Sequence, residues 1–183
     1  MTPFPVREVL SGFIPDVLCT FGGIWDDVWL EICDTCLIVS HYAKGDMKGN
    51  GQLKITVDIL KECNAGILVD IYSPEGNKAG CLSIPPAKVD AGQKTYVLDF
   101  CVNDVLLWDI RHPNLYRYVA TIDCDGLKET VERQFGFREI SYDGTKLLLN
   151  GTPIYVRGLL HWGYYDEMII PNPSRDVIQD EIN

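Results

Sequence analysis

The chain has 183 residues, 46% of them hydrophobic and 23% charged, the balance of a globular protein with a core rather than of a disordered segment. Its formal net charge of −10 repels phosphate backbones and argues against a nucleic-acid partner, and no run of eighteen apolar residues offers a membrane span. Seven cysteines at irregular spacing argue against a disulfide framework and favour a reducing, cytoplasmic setting.

Residues 1–23 read as irregular, broken by Pro3, Pro5, Gly12, Pro15, Gly22 and Gly23, and are expected to be the tail of a preceding element. They contain no basic segment followed by an apolar one, so they are not read as a signal peptide. From Ile24 the pattern turns to β, with Val28, Leu30 and Ile32 alternating with Trp29 and Glu31. Cys33 and Cys36 form a lone CxxC between two strand-like runs. Redox pairs of this spacing sit at a helix N-terminus, so these two are expected to be small buried apolar residues.

Leu37 to Tyr42 predicts a strand, and Ala43 to Gly51 a polar turn. Leu53, Ile55, Val57 and Ile59 alternate with Lys54, Thr56 and Asp58, the cleanest half-buried strand in the chain. Ile67, Val69 and Ile71 give the next, followed by a Ser73-Pro74-Glu75-Gly76-Asn77 turn. Cys81 to Ile84 is short and is expected to stop at Pro85-Pro86. Thr95 to Val102 is another strand. Tyr116, Tyr118, Ala120 and Ile122 share one face of the strand that leads to an Asp125-Gly126 hairpin, and Leu127 to Gln134 returns. About seven short strands with regular turn signals predict an immunoglobulin-like β-sandwich over 24–140.

The character changes after Arg138. Lys146 to Leu149, Asn150-Gly151 and Pro153 to Arg157 predict a tight hairpin. Tyr155 to Trp162 predicts a further strand. Ser174 is a candidate N-cap for a helix carrying Val177, Ile178 and Ile182. Strand, loop and helix in this order open a βα unit, which residues 141–183 are expected to begin and not to complete.

Three stretches resemble glycoside hydrolase family 2. The first is Gly23-Ile24-Trp25-Asp26-Asp27-Val28-Trp29-Leu30-Glu31. The second runs from Leu107-Trp108 through Pro113-Asn114-Leu115-Tyr116, with Ile110 where the family commonly has proline. The third and most specific combines Phe135-Gly136-Phe137-Arg138-Glu139-Ile140, Leu147-Leu148-Leu149-Asn150-Gly151, Pro153-Ile154 and Arg157-Gly158. The resemblance implies an all-β sandwich between a sugar-binding jelly roll, whose tail is 1–23, and a (β/α)8 catalytic barrel starting in 141–183. It also implies a parent that hydrolyses terminal β-glycosides with retention, using two glutamates about 5 Å apart.

Those glutamates are not expected here. The family's acid/base stands in an Asn-Glu pair, which this chain lacks, and Glu167 and Glu181 lie before or inside the predicted helix. No catalytic residue, metal or cofactor is assigned; His41, His112 and His161 fall in separate elements. His161 and Trp162, at the end of what resembles the first barrel strand, are the candidate substrate-binding residues; the family's asparagine is replaced there by Leu160. Trp29 and Trp108 are expected in a core or at a domain contact, Gly136 between two Phe rings, and Arg138 against a carboxylate. The chain therefore reads as a non-catalytic part of a β-glycosidase, whose sandwich positions the sugar-binding domain against the barrel and whose partners are those domains and, through the parent, a carbohydrate. The alternatives are a free-standing module that binds carbohydrate or protein, and a purely structural domain.

Overall fold

The computed structural model describes residues 24, 27–30, 32–158 and 174–182. Residues 32–155 form one compact unit. Seven strands build its body: β1 (Cys36–Gly45), β2 (Asn50–Ile59), β3 (Cys63–Tyr72), β4 (Lys78–Val89), β5 (Gly92–Cys101), β6 (Tyr116–Cys124) and β7 (Leu127–Phe135). They pair antiparallel into a three-stranded sheet, β1-β2-β5, and a four-stranded sheet, β4-β3-β6-β7. The predicted β-sandwich is the fold observed.

The core follows from the period-2 alternation. Leu53, Ile55, Val57 and Ile59 of β2 are buried, as are Ile67, Val69 and Ile71 of β3 and Tyr116, Tyr118, Ala120 and Ile122 of β6. Their neighbours along each strand point outward. Phe100, Tyr116, Phe135 and Phe137 cluster at one end of the sandwich. The Tyr116 and Phe137 rings meet edge to face at 4.9 Å, and Phe135 and Phe137 lie 5.3 Å apart. The Tyr116 hydroxyl accepts the Leu106 N–H at 3.0 Å, a tyrosine corner at the start of β6 that ties the preceding loop to the sheet. At the other end Cys36, Cys63 and Cys124 are buried. Burial pushes the Cys36 and Cys124 thiols above their ordinary range, so they behave as apolar residues. Cys33 is half-buried.

Two expectations about strands are corrected here. Residues 27–30 and 32 belong to no strand, and Trp29 is 81% exposed. Alternation makes a strand only where the backbone finds a ladder partner, and Val28, Trp29, Leu30 and Ile32 join no ladder among the described residues. Pro85-Pro86 does not end β4, which continues to Val89. The ladder with β3 shifts between Ala65 and Ile67, so both prolines lie in a bulge opposite Gly66. β4 is an edge strand, where a missing N–H disrupts no neighbour.

After β7 the chain forms a small meander: β8 (Ile140–Asp143), β9 (Lys146–Leu149) and β10 (Thr152–Pro153). The Asn150-Gly151 turn adopts φ of 51° and 75°, and Asp125-Gly126 adopts 53° and 87°, as two-residue hairpins require. β8 is an addition to the expected hairpin, and residues 155–158 form no strand. In the second unit, helix α1 (Arg175–Ile182) is present. The Ser174 carbonyl accepts the Ile178 N–H at 3.3 Å, and its hydroxyl faces the Val177 N–H at 3.5 Å, the geometry of an N-cap.

Candidate functional site

Residues of the second and third stretches that carried the family resemblance, Leu107-Trp108, Gly136 to Glu139 and Asn150, converge on one structural joint between the sandwich and the meander. Phe137 lies against Gly45 and Leu107 as isolated parallel bridges. Its carbonyl accepts the Trp108 N–H at 2.9 Å, and the next residue, Arg138, donates its N–H to Gly45 O at 3.1 Å. A Cβ on Gly45 would stand 2.2 Å from Phe137 Cδ1, so the ring occupies the space a side chain would fill.

Gly136 faces Trp108, not two Phe rings as expected: a Cβ there would lie 2.8 Å from Trp108 Cβ. Among the described residues Arg138 meets no carboxylate. Its guanidinium stacks over the Trp108 ring at 4.6 Å, a cation–π contact on a half-buried aromatic. Trp108 is thus held between a glycine and an arginine two residues apart on one strand-like segment.

Asn150 closes the joint. Its backbone N–H donates to Glu139 O at 2.9 Å, its side-chain Oδ1 accepts the Glu139 N–H at 2.9 Å, and its Nδ2 donates to Trp108 O at 3.0 Å. One turn residue therefore binds both the segment leaving the sandwich and the loop between β5 and β6. That loop is braced from within. Asp109 Oδ1 accepts the N–H groups of Arg111 and His112, each at 2.7 Å, and Asn114 Nδ2 donates to Leu107 O at 2.9 Å. Ile110, which stands where the family has proline, is exposed at the loop's tip.

A second constellation links β1, at the edge of one sheet, to β6 and β7 of the other. His41 Nδ1 and the Tyr118 hydroxyl are 2.7 Å apart, and Arg133 donates to His41 O at 3.3 Å. Burial, and then the Arg133 cation, depress the His41 pKa below its ordinary 6.5, while burial pushes the Tyr118 phenol up to about 12. In the unfolded chain His41 takes a proton near pH 6.5, and in the folded protein only at lower pH. The neutral imidazole's contribution to stability is therefore complete above pH 6.5 and is lost as pH falls from 6.5 through the folded value. The melting temperature should fall as pH is lowered from 6.5 to 5, and His41→Gln should flatten that segment of the curve. The hydrogen-bonded carboxylates Asp46, Asp109 and Asp125 are depressed below 3.8, so their contributions are lost only at lower pH. An unchanged slope in the variant would refute the assignment to His41.

The joint and the edge pair are structural and electrostatic devices. The candidate substrate-binding residues His161 and Trp162 lie outside the described residues. Sequence reading missed the reach of the Asn150 side chain, although Asn150-Gly151 was visible as a turn.

A sequence profile described as Glycosyl hydrolases family 2 matches residues 38–138. The chain is 30% identical over 145 residues to a β-galactosidase of Thermoanaerobacter pseudethanolicus, covering 76% of this chain and 19% of that protein. It is 28% identical over 153 residues to a putative β-glucuronidase of Formosa agariphila, covering 75% and 17%. Among solved structures, a β-glucuronidase of Parabacteroides merdae superposes with a TM-score of 0.63 at 18% identity, covering 81% of this chain and 19% of that one. A putative β-galactosidase of Bacteroides fragilis gives 0.54 at 24% identity, covering 62% and 18%. The chain thus spans about a fifth of the length of these relatives. The profile match over more than half of the chain, together with the β-sandwich fold, establishes that this chain belongs to glycosyl hydrolases family 2.

Proposed function

We propose that the chain is the sandwich portion of a retaining β-glycosidase, fixing the orientation of a sugar-binding domain against a catalytic barrel, and that the whole enzyme hydrolyses terminal β-glycosides. The observation that carries this reading is the joint at Asn150. The segment leaving the sandwich at Arg138 is bound to Gly45, to Trp108 and to the meander through backbone and amide hydrogen bonds. A flexible tether needs none of these bonds, whereas a spacer that transmits orientation needs them all. The domain division follows: 1–23 as the end of the sugar-binding domain, 24–140 as the sandwich and 141–183 as the opening of the barrel. His161 and Trp162 would then lie at the barrel rim, where an imidazole can hydrogen-bond sugar hydroxyls and an indole can stack on their C–H face.

The coding sequence past Asn183 tests this first. It should continue for on the order of 250 residues, with an Asn-Glu step and a second glutamate on barrel-strand patterns; an immediate stop codon would refute it. In that whole enzyme Asn150→Ala should lower kcat/KM by up to about a hundredfold, because displacements near 1 Å remote from the reacting atoms misalign the substrate. An unchanged kcat/KM would remove the orienting role while leaving the glycosidase assignment intact.

A further inference from the structure

An open cleft of about 300 Å³ lies where the end of β1 meets the end of β7, lined by Tyr42, Lys44, Arg133, Gln134, Phe135 and Arg138 together with small residues between them. Among the described residues no aspartate or glutamate lines it, although acidic residues outnumber basic ones 26 to 16 in the chain. Three cations thus share one concave surface on a protein whose overall charge is −10. None of the three has an ion-pair partner among the described residues. Like charges brought together without carboxylates repel one another, and a bound anion relieves that repulsion.

We propose that this cleft binds a small oxyanion, a carboxylate or a sulfate ester, carried on a molecule of monosaccharide size. The donor chemistry is suited to it. Arg138 uses its flat face on Trp108, which leaves the N–H groups in the guanidinium plane available for paired hydrogen bonds to an oxyanion. Arg133 commits one nitrogen to His41 O and retains further donors. Lys44 supplies a mobile point charge. Tyr42 is half-exposed at the rim and offers an aromatic face to the C–H groups of a sugar ring, while the Gln134 amide can meet hydroxyls. The volume is at the lower end of the range for small-molecule sites, enough for one ring and not for an oligosaccharide. The site lies wholly within the unit 32–155 and needs no barrel residue, so it stands independently of the proposed orienting role.

The test is a titration of the isotopically labelled chain, followed by nuclear magnetic resonance, with D-glucuronate, inorganic sulfate and D-glucose at millimolar concentrations. Glucuronate should shift the amides around Lys44, Arg133 and Arg138, sulfate should shift the same amides with weaker affinity, and glucose should shift none. Added sodium chloride should weaken both anions. The double variant Lys44→Gln, Arg133→Gln spares the Arg138–Trp108 stack. With its melting temperature preserved, it should bind glucuronate about tenfold or more weakly, the loss expected when charge-assisted hydrogen bonds are removed. If the double variant unfolds, the single variant Lys44→Gln takes its place, since Lys44 is an exposed residue with no contact to lose. A response to sulfate alone would support the sulfate-ester form of the proposal; silence with every ligand, or equal responses to glucose and glucuronate, would each overturn it.

Discussion

Replacing Phe137 by alanine should lower the unfolding free energy by about 3–5 kcal/mol, the range for deleting a fully buried aromatic ring. Phe137 has no exposed surface and lies within reach of the Phe100, Tyr116 and Phe135 rings. Its backbone also joins the loop between β5 and β6 to the end of β1, so collapse around the cavity is resisted on several sides. A loss of this size is a large share of the 5–15 kcal/mol that holds an ordinary domain together. Urea denaturation checks it, and a loss below about 1.5 kcal/mol would show that the site relaxes freely. A double-mutant cycle adds a sharper criterion. Gly45→Ala alone forces a Cβ to within 2.2 Å of the Phe137 ring and should destabilise by about 1–3 kcal/mol. In the Phe137→Ala background the methyl enters vacated space, so the same change should cost much less. Additive effects would mean that the two residues do not share that space.

These contacts mark what could and could not be read along the chain. β2, β3 and β6 were legible because each buries one face and leaves the other in solvent, and a period of two survives in the sequence. The Asp125-Gly126 and Asn150-Gly151 turns were legible because their backbone angles admit few residue types. β4 was cut short at Pro85-Pro86 because a one-dimensional reading cannot tell an edge strand with a bulge from a central one. β8 was missed because Ile140-Ser141-Tyr142-Asp143 is only four residues long, too short for a period to register, and its ladder with β9 supplies the ordering instead. Val28, Leu30 and Ile32 had the pattern, yet they join no ladder among the described residues. The neighbours of Gly136 and Arg138 were misassigned for the same reason in three dimensions. Trp108 reaches them from a loop 28 residues and more away in sequence, and no local pattern announces such a contact. Trp108, Gly136, Phe137, Arg138 and Asn150 were singled out by resemblance, yet in this chain they grip one another.

Asn150 is the clearest case, and its removal carries the second large effect. Asn150→Ala should destabilise the chain by about 2–4 kcal/mol. The substitution leaves the Glu139 N–H and the Trp108 carbonyl without the amide, each costing about 1–3 kcal/mol where water cannot replace it. It also places a Cβ-bearing residue without a compensating side-chain bond at φ of 51°, which adds about 1 kcal/mol. The total lies near the low end of that sum because Glu139 is exposed and water replaces part of what the amide supplied. Asn150→Gly separates the two causes, since glycine accepts the backbone angle and lacks the amide. It should recover only the backbone share. Asn150→Asp keeps the acceptor for Glu139 N–H and loses the donor to Trp108 O, setting a carboxylate against a carbonyl. It should be no more stable than the glycine variant. Hydrogen exchange locates the effect: amides of β8 and β9 should lose protection in Asn150→Ala while those of β2, β3 and β6 keep theirs, because the sandwich core does not depend on the joint. Equal loss of protection throughout would mean that meander and sandwich unfold as one body, and the joint would then be part of the core rather than a coupling between two elements.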